Sequence, residues 1–266
     1  MDDFDILDPE GIFEGRGYSD LIQEWANWLV SSSPDYQSSE HVLFLRGDLE
    51  YRTGEDEQQK TGEGLFAKLG GLRETIYKNT LVLIPIMTAM YTMNEMYEGK
   101  QLLDEASLRD AVRKDSSRSQ KVWLRYQTSK NPSKHQVVLQ GKRMEEFYFE
   151  SSKFILSVKS DNPFREKFEY PLAADNYEAV QGGYFVALTN LKPDRTYRFH
   201  FGGYGRGLYS TDAVYDISVL NEVTRYPADD SSENATQGLL ADKDPKVKKY
   251  IHLKNEDEIK NKFPPL

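Results

Sequence analysis

A mainly β protein is predicted by three features of the sequence. Seventeen Tyr and thirteen Phe in 266 residues favour strands, since flat rings pack well on a pleated, half-buried surface. Short runs of β-forming residues are separated by turn residues along most of the chain. Tyr197, Phe199 and Phe201 alternate with Arg198 and His200, which puts three rings on one face of a strand and polar groups on the other. The strand follows Leu191-Lys192-Pro193, and a Leu-x-Pro run with Tyr at the head of the next strand is the pattern of a tyrosine corner. The expected architecture is therefore a β-sandwich, immunoglobulin-like or jelly-roll, with an N-terminal helix and one or two short helices.

Residues 1–17 are expected to form an extended arm, 18–224 the β-sandwich domain and 225–266 an extended polar arm. The clearest helix begins at Tyr18, with Leu21, Ile22, Trp25 and Leu29 at helical spacing and Trp28 beside them. Ser19 or Asp20 is its expected cap. Trp25 and Trp28 are read as core anchors. His41–Arg46 reads as a compact strand, and the acidic stretch 47–61 as a loop. Leu81–Ile86 reads as a strand buried on both faces, with Pro85 near its end or at a bulge. Met87, Met90, Met93 and Met96 recur every three residues, either as core filler or as an adaptable binding stripe. Ser107–Lys114 reads as a short helix with Leu108, Ala111 and Val112 on one face. Lys121–Tyr126 and Gln136–Gln140 read as paired strands joined through Asn131-Pro132. Strands at 147–149, 154–158, 184–188, 197–201 and 213–220 complete the pattern.

Recognisable chemistry is sparse. The chain has no cysteine, which removes thiolate metal sites and cysteine nucleophiles. His41, His135, His200 and His252 show no paired ligand spacing, and the acidic runs lack the pattern of a calcium loop. Gly202-Gly203-Tyr204-Gly205-Arg206-Gly207 lacks the Lys-Ser/Thr of a phosphate loop and reads as a hairpin loop. No cofactor is expected and no catalytic residue is assigned. A net charge of −9 gives no support for nucleic-acid binding. The N-terminus does not read as a secretory signal, and the run 80–93 is too short to span a bilayer.

Gly17-Tyr18-Ser19-Asp20, leading to Trp25-x-x-Trp28, resembles the opening of an uncharacterised microbial protein family with a Trp-rich N-terminal helix followed by a β domain. Phe44–Gly47, Leu81–Ile86, Gly182–Phe185 and Ala213–Leu220 resemble that family's later strands, so the similarity runs over about residues 15 to 222. The resemblance implies a β domain with a helix and no activity. Two functions are left in view. One is a non-enzymatic structural or assembly protein, such as a minor capsid or decoration component of a virion, oligomeric and contacting other proteins through its two arms. The other is a sugar- or small-ligand-binding domain, with Tyr204, Arg206, Tyr209 and His200 as the candidate binding surface.

Overall fold

The computed structural model describes residues 3–31, 41–46, 72–117, 119–160, 174–205 and 210–221. The chain opens with β1 (Asp5–Ile6), α1 (Tyr18–Ser31), β2 (Val42–Phe44), β3 (Leu72–Tyr77) and β4 (Leu81–Thr92). Next come β5 (Met96–Tyr97), β6 (Lys100–Gln101), α2 (Glu105–Ser117), β7 (Ser119–Thr128), β8 (Asn131–Gln140) and α3 (Lys142–Glu145). It continues through β9 (Tyr148–Glu150), β10 (Phe154–Val158), β11 (Asp175–Thr189), β12 (Arg195–Gly205) and β13 (Ser210–Leu220). The mainly β expectation holds.

Two sheets share one hydrophobic core. In the first, the order is β1-β11-β4-β2, with β9 and β10 also pairing to β11. In the second it is β3-β13-β12-β7-β8, while β5 and β6 form a separate small ribbon. Most pairs are antiparallel, but β2 runs parallel to β4 and β3 parallel to β13. The alternation in β12 works as read: Tyr197, Phe199 and Phe201 are fully buried, with Tyr197 and Phe199 stacked at 5.8 Å. Leu81, Val82, Leu83, Ile84 and Ile86 in β4 have no exposed surface. Both faces of that strand are covered, which explains a continuous apolar run in place of alternation. Tyr184 pairs with Met87 and Phe185 with Pro85, so Ile86 is the extra residue of a bulge. A bulge beside a residue without an N–H is where a proline fits a ladder.

The methionine series does not form a stripe. Three-residue spacing on a strand alternates faces: Met87 is buried, Met90 packs on the main core, Met93 packs against a second cluster, and Met96 is 64% exposed.

The N-terminal arm is extended but joined to its own domain. β1 pairs with the end of β11, and Phe4 is buried with its ring edge-on to Tyr126 at 4.8 Å. Asp3 forms an ion pair with Arg195. The Tyr197 hydroxyl accepts the Lys192 N–H at 3.0 Å and lies 2.9 Å from the Asp3 carbonyl and 3.3 Å from that of Lys192. These are the bonds expected of a tyrosine corner, here also fastening the arm. Burial pushes the Tyr197 hydroxyl up to about 12. The C-terminal arm, residues 225–266, lies outside the described residues.

Helix α1 starts one residue before the expected caps. Gly17 is the cap position, and the Asp20 carboxylate reaches back to accept its N–H at 3.0 Å. Ser19 is used differently, accepting the Ser152 N–H at 3.2 Å. Gln23 donates to the Ser152 hydroxyl at 2.9 Å. Asn27 donates to the Ile155 carbonyl at 3.2 Å and accepts the Ser157 N–H at 2.9 Å. Ser19, Gln23 and Asn27 are spaced by four, so one stripe of the helix follows the free edge of β10. Beside that stripe Ile22 and Ala26 are fully buried, and so is Leu21 further round, where Trp25 donates to the Leu45 carbonyl at 2.7 Å. Trp25 is a core anchor, as expected, and Trp28 packs partly buried on Phe44.

Tyr18 closes a gap in the edge of β11. Its hydroxyl accepts the buried Ala187 N–H at 3.1 Å and donates to the Leu7 carbonyl at 3.0 Å, while its ring stacks on Phe149 at 4.0 Å. Burial raises its pKa. Tyr18→Phe keeps the stack and leaves the two backbone groups without this partner. A loss of roughly 2–3 kcal/mol is expected in urea unfolding with an unchanged m-value. An unshifted midpoint would show that the bridge is dispensable.

Candidate functional site

The sequence placed its candidate surface at His200, on the polar side of β12, and in the glycine-rich segment that follows, with Tyr204, Arg206 and Tyr209. Across the second sheet Gln127, Arg198 and Asp216 lie side by side in one row, and Arg125, His200 and Val214 in the next. Arg198 and Asp216 form a bidentate pair at 2.8 and 2.9 Å. Asp216 is only 4% exposed. His200 is half-buried, with its ring edge-to-face with Trp123 at 6.0 Å. Tyr204 lies four residues further along β12, its backbone pairing with Ser210 and Lys121 just before a register shift. Arg206 and Tyr209 lie outside the described residues, so of the four candidates only His200 and Tyr204 are placed, at separate points on one strand.

A second polar cluster surrounds α2 on the first sheet. The helix is capped by reciprocal bonds: Asp104 accepts the Ser107 N–H at 2.8 Å, and the Ser107 hydroxyl accepts the Asp104 N–H at 3.1 Å. These bonds hold the Asp104 carboxyl below its ordinary range. Val112 rests over Gly182 of β11, where an added Cβ would come within 2.5 Å of Cγ1. To one side Asp115 accepts hydrogen bonds from Tyr91 and from Tyr97, the latter at 2.8 Å. To the other, Glu150 of β9 receives Arg113 at 2.8 and 2.9 Å, Arg109 at 3.2 Å and the Tyr148 hydroxyl at 3.2 Å. Tyr148 packs edge-on to Tyr184 at 5.5 Å.

The electrostatics of this cluster favour anchoring over proton transfer. Burial pushes the Glu150 carboxyl up, but hydrogen bonds and charge from Arg113 and Arg109 prevail and hold it below the usual carboxylate range. Such a carboxylate is a weak base with its acceptor sites filled. Tyr148 is pushed up to about 12, chiefly by burial, and is a donor at neutral pH.

Sequence reasoning missed this cluster. Its helix was expected to stop at Lys114, which left Asp115 and Ser116 outside, whereas α2 runs to Ser117. Glu150 lies 37 and 41 residues from its arginines, beyond any local pattern. The available signal was Arg109 and Arg113 four apart, on one helical stripe with Glu105, which pairs with Arg109 at 2.8 Å.

Among the described residues no group of three or more His, Asp or Glu stands close enough to hold a metal ion. His41 lies 3.2 Å from Glu14. No helix among the described residues is long and apolar enough to cross a membrane. Comparison with protein-family models, curated proteins and solved structures finds no match. The family resemblance around Gly17–Trp28 therefore rests on those motifs alone.

Proposed function

We propose that the chain is a non-enzymatic structural protein that takes its place in a larger assembly, of the kind filled by minor capsid or decoration subunits of a virion. The observation that carries this reading is the use made of the least exposed charges. Asp3 with Arg195, Asp216 with Arg198, and Glu150 with Arg109 each fasten separate segments. Their charge is committed to holding the fold together. The same reading takes the two sheets as an immunoglobulin-like sandwich in preference to a jelly-roll, supported by the bonds of the Tyr197 corner. With the N-terminal arm fastened to its own domain, the C-terminal arm becomes the proposed partner contact. Sedimentation equilibrium of the full chain at micromolar concentration is expected to give a multiple of the chain mass. A single monomeric species over that range overturns the reading.

A ligand-binding role at the end of β12 is the second reading, favoured by the Trp123–His200 ring pair on the polar side of that strand. It expects a glycan or small-molecule panel to yield at least one thermal shift that Tyr204→Ala abolishes.

A further inference from the structure

We propose that residues 93–117, comprising the β5–β6 ribbon and α2, form a latched unit that opens as one piece while the two sheets stay folded. Two observations converge on this. First, the unit packs on the sheet through a small apolar cluster separate from the main core. Leu102, Leu108, Ala111, Val112 and Val180 form a cluster distinct from the main one, with Tyr91, Met93 and Tyr97 packed against it. Opening therefore exposes a small apolar area and leaves the shared core of the two sheets intact, which is the condition for a sub-global transition.

Second, a few polar contacts at its flanks fasten the unit to the sheet. Glu150, on β9, takes Arg109 and Arg113 from α2, and Asp115 takes Tyr91 from β4. Glu150 is 11% exposed at its side chain, whereas Arg113 is 62% exposed. Water and salt thus compete at the arginine end of the latch.

The segment is held at both ends. Asn94 takes a positive φ of 70° just after β4, a conformation open to asparagine. At the other end α2 passes almost directly into β7, which is anchored in the second sheet by β8 and β12. The unit is thus tethered on both sides, and opening bares the outward side of β4 and β11 around Tyr91, Val180 and Gly182.

Hydrogen exchange of the full chain, read by mass spectrometry across a series of sub-denaturing urea concentrations, tests the latch. Peptides covering 105–117 are expected to exchange by an opening that precedes global unfolding, while peptides from β12 and β13 exchange only with it. Glu150→Gln weakens the charge-assisted bonds and should speed exchange of 105–117 by roughly tenfold or more, with β12 and β13 unchanged. Arg113→Gln, at the exposed end of the same pair, should act in the same direction and serves if the first variant does not fold. Exchange of 105–117 only through the global transition overturns the proposal. So does a variant that speeds exchange equally in every peptide.

Discussion

Gly183→Ala is expected to leave the protein unfolded or insoluble under conditions in which the natural sequence is folded. Gly183 has a φ of +137°, a region that L side chains rarely adopt, and an added Cβ would come 2.2 Å from the Met87 carbonyl oxygen and 2.7 Å from the Thr88 Cα. Both obstacles are backbone atoms of the neighbouring strand, so no side-chain rotation relieves them. β11 is paired at this point with β4 on one side and β9 on the other. Backbone strain and overpacking together are expected to cost roughly 3–5 kcal/mol, a large part of the stability of an ordinary domain. Circular dichroism and urea unfolding would register the loss. An alanine variant with an unchanged midpoint would mean that this close approach is absent in solution. Gly182→Ala is the instructive contrast, because its nearest obstacle is Val112 Cγ1 at the end of a side chain. It should displace α2 and cost less.

The second large effect is expected at Asp216. Asp216→Ala removes the bidentate partner of Arg198, whose side chain is 15% exposed, and so takes a close counter-charge away from a largely buried guanidinium. Loss of one member of such a pair should cost about 3 kcal/mol or more. The double variant Arg198→Met with Asp216→Leu should recover most of that, since the charge and its partner leave together. Together with the parent and the single variants Arg198→Met and Asp216→Leu, the double variant completes a double-mutant cycle in urea. Equal destabilisation in the single and double variants would argue that packing, and not charge pairing, is what these side chains contribute.

Local patterns were the legible ones. β12 could be read because its face alternation and its corner lie within a dozen residues, and α1 because its apolar spacing sits on one short segment. Pro85, expected near the strand's end or at a bulge because of its missing N–H, sits beside a bulge. The parallel pairs β2–β4 and β3–β13 were not readable, because a parallel partner carries no hairpin turn to mark it. Of the two readings of the methionines, core filler describes Met87, Met90 and Met93, and no binding stripe forms because a period of three has meaning on a helix and none on a strand. At the candidate sites, alternation alone was enough to put His200 on the strand face opposite the rings. Glu150 was missed, since nothing near it in the sequence hints at two arginines arriving from α2. Tyr18 was read as part of a helix's apolar face, and its hydroxyl at the edge of β11 depends on where the chain returns some 169 residues later.

The row of Ser19, Gln23 and Asn27 along β10 also determines where this protein can join another. Ile155 O and Ser157 N point away from β11 and would otherwise invite a foreign strand, but an asparagine amide occupies both. An incoming chain would have to peel the helix off, and with it Leu21, Ile22 and Trp25 would leave the interior. Lateral extension of the first sheet at that border is thereby coupled to dismantling its centre. A partner is therefore directed to surfaces where side chains, not open backbone, make the contact.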